Sequence, residues 1–229
     1  MSAAKSKRVL SMIIAAVFAV TGFALVGGVN GKVFADSYYK TGSRIPYKVE
    51  MEYFKKAPEA WMNEEMIADS TDCTIDMASV KSSKSKVAVL ISETDKNGRI
   101  YYSVKAKKAG KTTLTMKVQL AGKQEYVKKT IKVTVKKYAP AVKTLKIGKT
   151  NFSKRLKSTF FIEQKKDVSG KLVVKAKNGW KIKSIELMDN NLNTKKVKNN
   201  QKIRMTDGDS LTVYFKKGKN FKFVTIWNM

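Results

Sequence analysis

The side chains best placed to do chemistry in this chain are lysines in clusters. Lys195-Lys196-x-Lys198, Lys202-x-Arg204 and Lys216-Lys217-x-Lys219 gather eight positive charges into 25 residues. Lys154-Arg155-x-Lys157 and Lys165-Lys166 lie shortly before them. A field of that sign raises the local concentration of polyanions such as teichoic acid, anionic phospholipid, acidic glycan or nucleic acid. The same lysines also read as wet strand faces and guarded sheet edges. Of 47 basic residues only five are Arg, and Arg is the side chain whose planar fork recognises phosphate or carboxylate by geometry. Both readings therefore stand: general surface charge, and a polyanion site on Lys195, Lys196, Lys198, Lys202, Arg204, Lys216, Lys217 and Lys219.

Other chemistry is thinly provided for. The 229 residues contain no His and one Cys. That excludes Ser-His-Asp and Cys-His catalysis, a His general base, Cys-rich zinc sites, iron–sulfur clusters and an intrachain disulfide. Cys73 sits in the alternating stretch Cys73-Thr74-Ile75-Asp76-Met77 and reads as a small core residue. Asp189-Asn190-Asn191-Leu192-Asn193-Thr194 begins like a calcium loop. It has Thr where the sixth-position Gly is needed and Asn200 where the bidentate Glu is needed, so it reads as an Asn-rich turn. Ser37-x-x-Lys40 and Ser83-x-x-Lys86 match a penicillin-recognising spacing without its companion motifs. Glu64-Glu65 and Asp207-x-Asp209 are too close in sequence to converge as a glycosidase pair. Trp180 and Trp227 could stack on sugars, but core packing is the favoured reading. No catalytic residue, metal or cofactor is expected.

The elements carrying these residues read as strands. In Lys129–Lys136, Ile131, Val133 and Val135 alternate with Thr130, Lys132, Thr134 and Lys136; Leu114, Met116 and Val118 alternate in the same way. One wet and one dry face is the pattern of antiparallel sheets in a sandwich. Turn signals recur at Asn97-Gly98, Ala109-Gly110, Ala121-Gly122, Ser169-Gly170, Asn178-Gly179, Asp207-Gly208 and Lys217-Gly218. Residues 57–80 stand apart, with six acids and no Lys or Arg. Pro58 ahead of Glu-Ala-Trp-Met predicts a helical turn or long connection there. Pro140 ends the strong strand before it, and alternation restarts at Lys143-Thr144-Leu145-Lys146-Ile147.

The first 35 residues read as an export signal. Lys5, Lys7 and Arg8 precede the uncharged run Val9–Val29, and Val33-Phe34-Ala35 forms a V-x-A cleavage site. An uncleaved anchor competes, since 21 apolar residues can span a bilayer. The glycines, the polar break at Asn30-Gly31-Lys32 and the V-x-A site favour cleavage. Beyond the leader the charge is uneven: residues 36–139 carry 21 basic and 12 acidic side chains, and residues 140–229 carry 22 and 6. The second half is the basic one, at +16.

Ser82-Ser83-Lys84-Ser85-Lys86-Val87-Ala88-Val89, Asn97-Gly98-Arg99-Ile100 and Lys105 through Met116 resemble the bacterial group 2 Ig-like domain, with Thr130–Val135 as its closing strand. The likeness covers about residues 80–137. Val80 stands where the family often has Trp, and extra residues separate Val89 from Asn97. The resemblance implies an Ig fold and a non-catalytic surface or secreted role as adhesin module, spacer or carbohydrate-associated accessory. It supplies no shared ligand residues. The expected organisation is all-β: a signal peptide over 1–35, a linker over 36–43, a bacterial Ig-like domain over 44–138 and a second antiparallel Ig-like sandwich over 139–229. The expected protein is exported, from a bacterium of Gram-positive type. Its expected partner is a cell-wall or extracellular polymer or another surface protein, or alternatively a polyanion. Only an uncleaved leader would tie it to a membrane.

Overall fold

The computed structural model describes residues 45–57 and 59–229, which are nearly all β. The expected leader, the linker and the Ser37-x-x-Lys40 match lie outside the described residues. Between Ala139 and Pro140 the chain divides into two compact units.

The first unit has seven strands: β1 (Lys48–Tyr53), β2 (Glu64–Asp69), β3 (Cys73–Ser82), β4 (Ala88–Thr94), β5 (Ile100–Ala106), β6 (Gly110–Leu120) and β7 (Tyr126–Lys137). One sheet runs β1-β7-β6-β3 and the other β2-β5-β4. This is an Ig-type strand order, a Greek key in which sequence neighbours often change sheets. The alternation explains the core. Leu114, Met116, Val118, Ile131, Val133 and Val135 are buried, and the Lys and Thr between them are exposed or half-exposed. Cys73 belongs to the same core.

Each unit departs from a wholly antiparallel plan at one pair. Here β1 lies parallel to β7, with Val49 beside Val133 and Met51 beside Val135. A parallel pair needs a long crossover, and the whole of the intervening domain supplies it. The first strand thus runs in the same direction as the last. The chain enters the unit beside Lys132 and leaves at Lys137, about 16 Å further along.

The acidic segment forms the expected helical turn only at its start and becomes strands beyond it. A single 3-10 turn forms at Ala60–Asn63, pinned by Phe54 N–H donating to Asn63 Oδ1 (2.8 Å). The rest becomes β2 and β3. The acids find cations on neighbouring strands, out of sight of a local reading: Glu64 pairs with Lys105 (2.9 Å) and Asp69 with Arg99 (2.5 Å). Asp69 also accepts from the Thr71 hydroxyl (2.6 Å) and the Thr71 amide (2.7 Å). These bonds from Thr71 and then Arg99 hold its carboxyl down at about 2, against an ordinary 3.8. Hydrogen bonds from Lys136 and then Lys48 hold Glu50 at about 2 as well. Both folded values are depressed. Their stabilisation is complete above the ordinary carboxylate range and is lost as pH falls through about 2. The thermal stability of this unit should therefore fall from pH 5 to pH 2, and Asp69→Asn should flatten that slope. An unchanged slope would show that the carboxylate does not act in this way.

The Ser82-Ser83 pair locks the β3–β4 turn onto β6. Ser82 Oγ donates to Ala88 O (2.8 Å), and Thr113 N–H donates to Ser83 Oγ (3.0 Å). The buried Thr112 hydroxyl lies 3.0 Å from Ser82 Oγ and accepts from Lys84 N–H at 2.9 Å.

The second unit has β8 (Val142–Ile147), β9 (Thr150–Asn151), β10 (Phe161–Gln164), β11 (Val168–Ala176), β12 (Lys181–Met188), β13 (Thr194–Lys196), β14 (Lys202–Met205), β15 (Ser210–Lys217) and β16 (Asn220–Asn228). Its sheets run β10-β16-β15-β12-β13 and β14-β11-β8-β9. The opening strand β8 pairs antiparallel with β11 and β9 in one sheet, and after a 3-10 turn at Arg155–Lys157 β10 lies parallel to β16 in the other. Leu145, Ile147, Leu172, Val174 and Met205 from one sheet, and Leu211, Val213, Phe215, Val224 and Ile226 from the other, are almost fully buried. Ser169-Gly170 is not a turn here but part of β11.

The chain enters this unit beside the end of β11, where Lys177 N–H donates to Ala141 O (2.7 Å). It leaves along β16 to Asn228, whose N–H donates to Asp209 O (2.9 Å). The two points lie at opposite ends of the sandwich.

Candidate binding surface

Two turns meet at the end of the second unit where the chain enters. One is the Lys177–Trp180 turn between β11 and β12, closed by Trp180 N–H donating to Lys177 O (2.9 Å). The other is the hairpin between β15 and β16. They are close: a Cβ placed on Gly179 would lie 3.1 Å from Lys217 Cε and 3.2 Å from its Nζ.

Register brings further lysines in. Lys181 stands directly opposite Lys216, and Lys216 directly opposite Phe221. A bulge between Ile182 and Ser184 gives β12 an extra residue, Lys183. The Lys183 ammonium lies 4.9 Å and the Lys216 ammonium 5.5 Å from the centre of the Phe221 ring. Lys177, Lys181, Lys183, Lys216, Lys217 and Lys219 are exposed; Trp180 and Phe221 are half-exposed. Neither residues 175–185 nor residues 214–223 contain an acid. The nearest on these strands is Glu186, which accepts from Ser184 Oγ (3.1 Å).

The eight basic residues singled out in the sequence fall in separate places. Lys216, Lys217 and Lys219 belong to this end. Lys195 and Lys196 are on the edge strand β13, opposite Leu187 and Glu186. Along β12 that is about 20 Å from Lys181. Lys198 lies in the following turn, its N–H donating to Gln201 Oε1 (2.9 Å). Lys202 and Arg204 are on β14, at an edge of the other sheet, with Arg204 3.6 Å from Asp167. Lys181, Lys183 and Phe221 were missed by the sequence reading. The Lys-Ile-Lys alternation after Trp180 announces a strand, but only register shows which strand lies beside it.

The remaining motifs serve the fold. Asp189 Oδ1 accepts the amides of Asn191 and Asn193 (both 2.9 Å), which holds its carboxyl below the usual range. Asp209 Oδ2 accepts Thr206 N–H (2.7 Å) and closes its turn. Among the described residues no group of three His, Cys, Asp or Glu stands close enough to hold a metal ion. Trp227 is buried.

Cys73 is 2% exposed, and burial pushes its thiol up to about 11. Since the thiolate is the reactive form, a maleimide at pH 7 should modify the native protein only through opening of the first unit. Labelling as fast in native buffer as in denaturant would contradict its burial.

No protein-family model matches the chain, and no curated protein matches it. Solved structures do. The extracellular domain of protocadherin GammaB4 is 11% identical over 79% of this chain and 31% of that one, with a TM-score of 0.28. Domains 4–9 of the surface layer protein SbsC are 13% identical over 80% and 30%, with a TM-score of 0.25. The fibronectin(III)-like modules of Clostridium thermocellum CbhA are 11% identical over 78% and 88%, with a TM-score of 0.22. The chain thus spans about a third of the length of the first two.

Proposed function

We propose that this chain is an exported, non-enzymatic module of the cell surface or secreted fraction. Its first unit is of the bacterial group 2 Ig-like kind, and its work is to hold, adhere or space. One observation carries the reading. In the first unit the opening strand β1 lies parallel to the closing strand β7, and in the second β10 lies parallel to the closing strand β16; in each unit the chain enters at one end and leaves at the other. Pulling the units from those opposite ends loads the ladders of their opening strands, β1 with β7 and β8 with β11, in shear, all together rather than one by one. That is the geometry a spacer needs. Single-molecule stretching of the chain between its ends should show two separate high-force events. Release of either unit at forces typical of an unzipping hairpin would overturn the spacer reading.

A second reading is polyanion binding through the basic second unit. It is favoured by the acid-free end around Lys181, Lys216 and Lys217. Retention on an anionic polymer should fall steeply with salt, as counterion release requires.

A further inference from the structure

We propose that the end of the second unit around Phe221 is a binding site for an anionic polysaccharide, with Lys181, Lys183, Lys216 and Lys217 pairing its carboxylate or sulfate groups. This deepens the polyanion reading and rests on it.

Folding alone disfavours the charge arrangement at this end. Like charges directly opposite each other on neighbouring strands repel, and Lys181 and Lys216 are such a pair. The bulge then adds Lys183 at the same place, and the hairpin turn adds Lys217. No acid within either segment offsets them. Lysines also face each other at Lys117 with Lys128 and Lys171 with Lys202; this end differs in the third and fourth lysine that the bulge and the hairpin bring to the pair.

The Phe221 ring turns this crowd into a seat. Its electron-rich face attracts ammonium groups. It draws two of them, from different strands, to within 4.9 and 5.5 Å of one ring centre. Both cations are gathered around one ring, where an anionic chain passing over this end can meet both. Phe221 is thus a positioning residue. Trp180, half-exposed in the adjoining turn, adds a second aromatic side chain of the kind on which sugar rings rest.

The cations at this end are all Lys, and the half-exposed Trp is single. Single-stranded nucleic acid wants a row of rings for successive bases. A sugar chain with spaced anionic groups fits better than a nucleic acid.

The test uses the full chain and heparin, a sulfated and carboxylated polysaccharide, with affinity measured at several salt concentrations. Lys181→Gln/Lys183→Gln/Lys216→Gln should weaken binding at least tenfold and make its salt dependence shallower. Lys195→Gln/Lys196→Gln/Lys198→Gln removes the same charge and should cost less than twofold. Phe221→Leu, with charge unchanged, should weaken binding about threefold, and Trp180→Ala about as much. Circular dichroism checks that each variant is folded, and the exposed lysine variants keep the test standing if Phe221→Leu is not. Equal losses from the two lysine triples would overturn the site while leaving the polyanion reading intact. So would silence of both aromatic variants. Tighter binding of single-stranded DNA than of heparin, lost in the same variants, would overturn the ligand class. Absence of salt-dependent binding by the unaltered chain would remove the polyanion reading itself.

Discussion

Phe215→Ala is expected to destabilise residues 140–229 by about 3–5 kcal/mol, the usual cost of emptying a buried aromatic site. Phe215 is wholly buried on the core-facing side of β15, in register with Ile182 and Lys222. A strand fixed on both sides by ladder hydrogen bonds cannot move in to fill the space. A domain of this size holds only about 5–15 kcal/mol in total, so the variant should lie near the edge of folding. Guanidinium unfolding followed by tryptophan emission reads the effect: Trp180 and Trp227 report this unit and Trp61 the first. Leu114→Ala should remove about 2–5 kcal/mol from the first unit and leave the Trp180 and Trp227 transition in place. A loss below about 1 kcal/mol for Phe215→Ala would mean that the inner face is packed differently.

The β-sandwich character was legible where one face is wet and the other dry. Ile131, Val133 and Val135 set against Thr130, Lys132 and Thr134 leave no other reading. What alternation cannot carry is which strands become neighbours. The pairing of Val49 with Val133 joins residues far apart in sequence, and nothing local marks that pair as parallel. The acidic stretch misled for the same reason. Past the turn that Pro58 announces, Glu64 finds Lys105 and Asp69 finds Arg99 on segments about 30 or more residues away, where a local reading does not look.

The basic surface was half legible. Lys216-Lys217-x-Lys219 stands out as a run, but its companions Lys181 and Lys183 precede it by more than 30 residues and join it only through register. Lys195 is nearer in sequence yet lies at the far end of β12. Proximity along the chain was therefore a poor guide to proximity on the sheet. Phe221 looked like one more strand aromatic. Its use as an anchor for two ammonium groups depends on where the bulge falls.

Gly148→Ala should be as damaging as a core truncation, for a reason invisible in any tally of buried area. Gly148 has φ +54, and a Cβ there would lie 2.3 Å from Ser169 O. Gly170, the glycine misread as a turn, has φ +129, and its Cβ would lie 2.6 Å from Gly148 Cα. The two backbones touch because neither residue has a side chain. Left-handed backbone costs an alanine about 1–2 kcal/mol. The contact with Ser169 O adds to that, since backbone cannot swing aside as a side chain can. Relief requires β8 and β11 to separate, straining the hydrogen bond from Gly148 N–H to Lys171 O (3.0 Å) and the pairing of Ile147 with Leu172. We expect a loss of more than about 3 kcal/mol, at the upper end of single-substitution effects. Gly218→Ala is the control: it has φ +58, with nothing within 4 Å of the added Cβ. It should cost only the left-handed term, about 1–2 kcal/mol. Gly148→Ala/Gly170→Ala should cost less than the sum of its parts, because one separation of the strands relieves both contacts. Equal destabilisation by Gly148→Ala and Gly218→Ala would show that backbone conformation alone is being measured, and that the strands do not meet at these glycines.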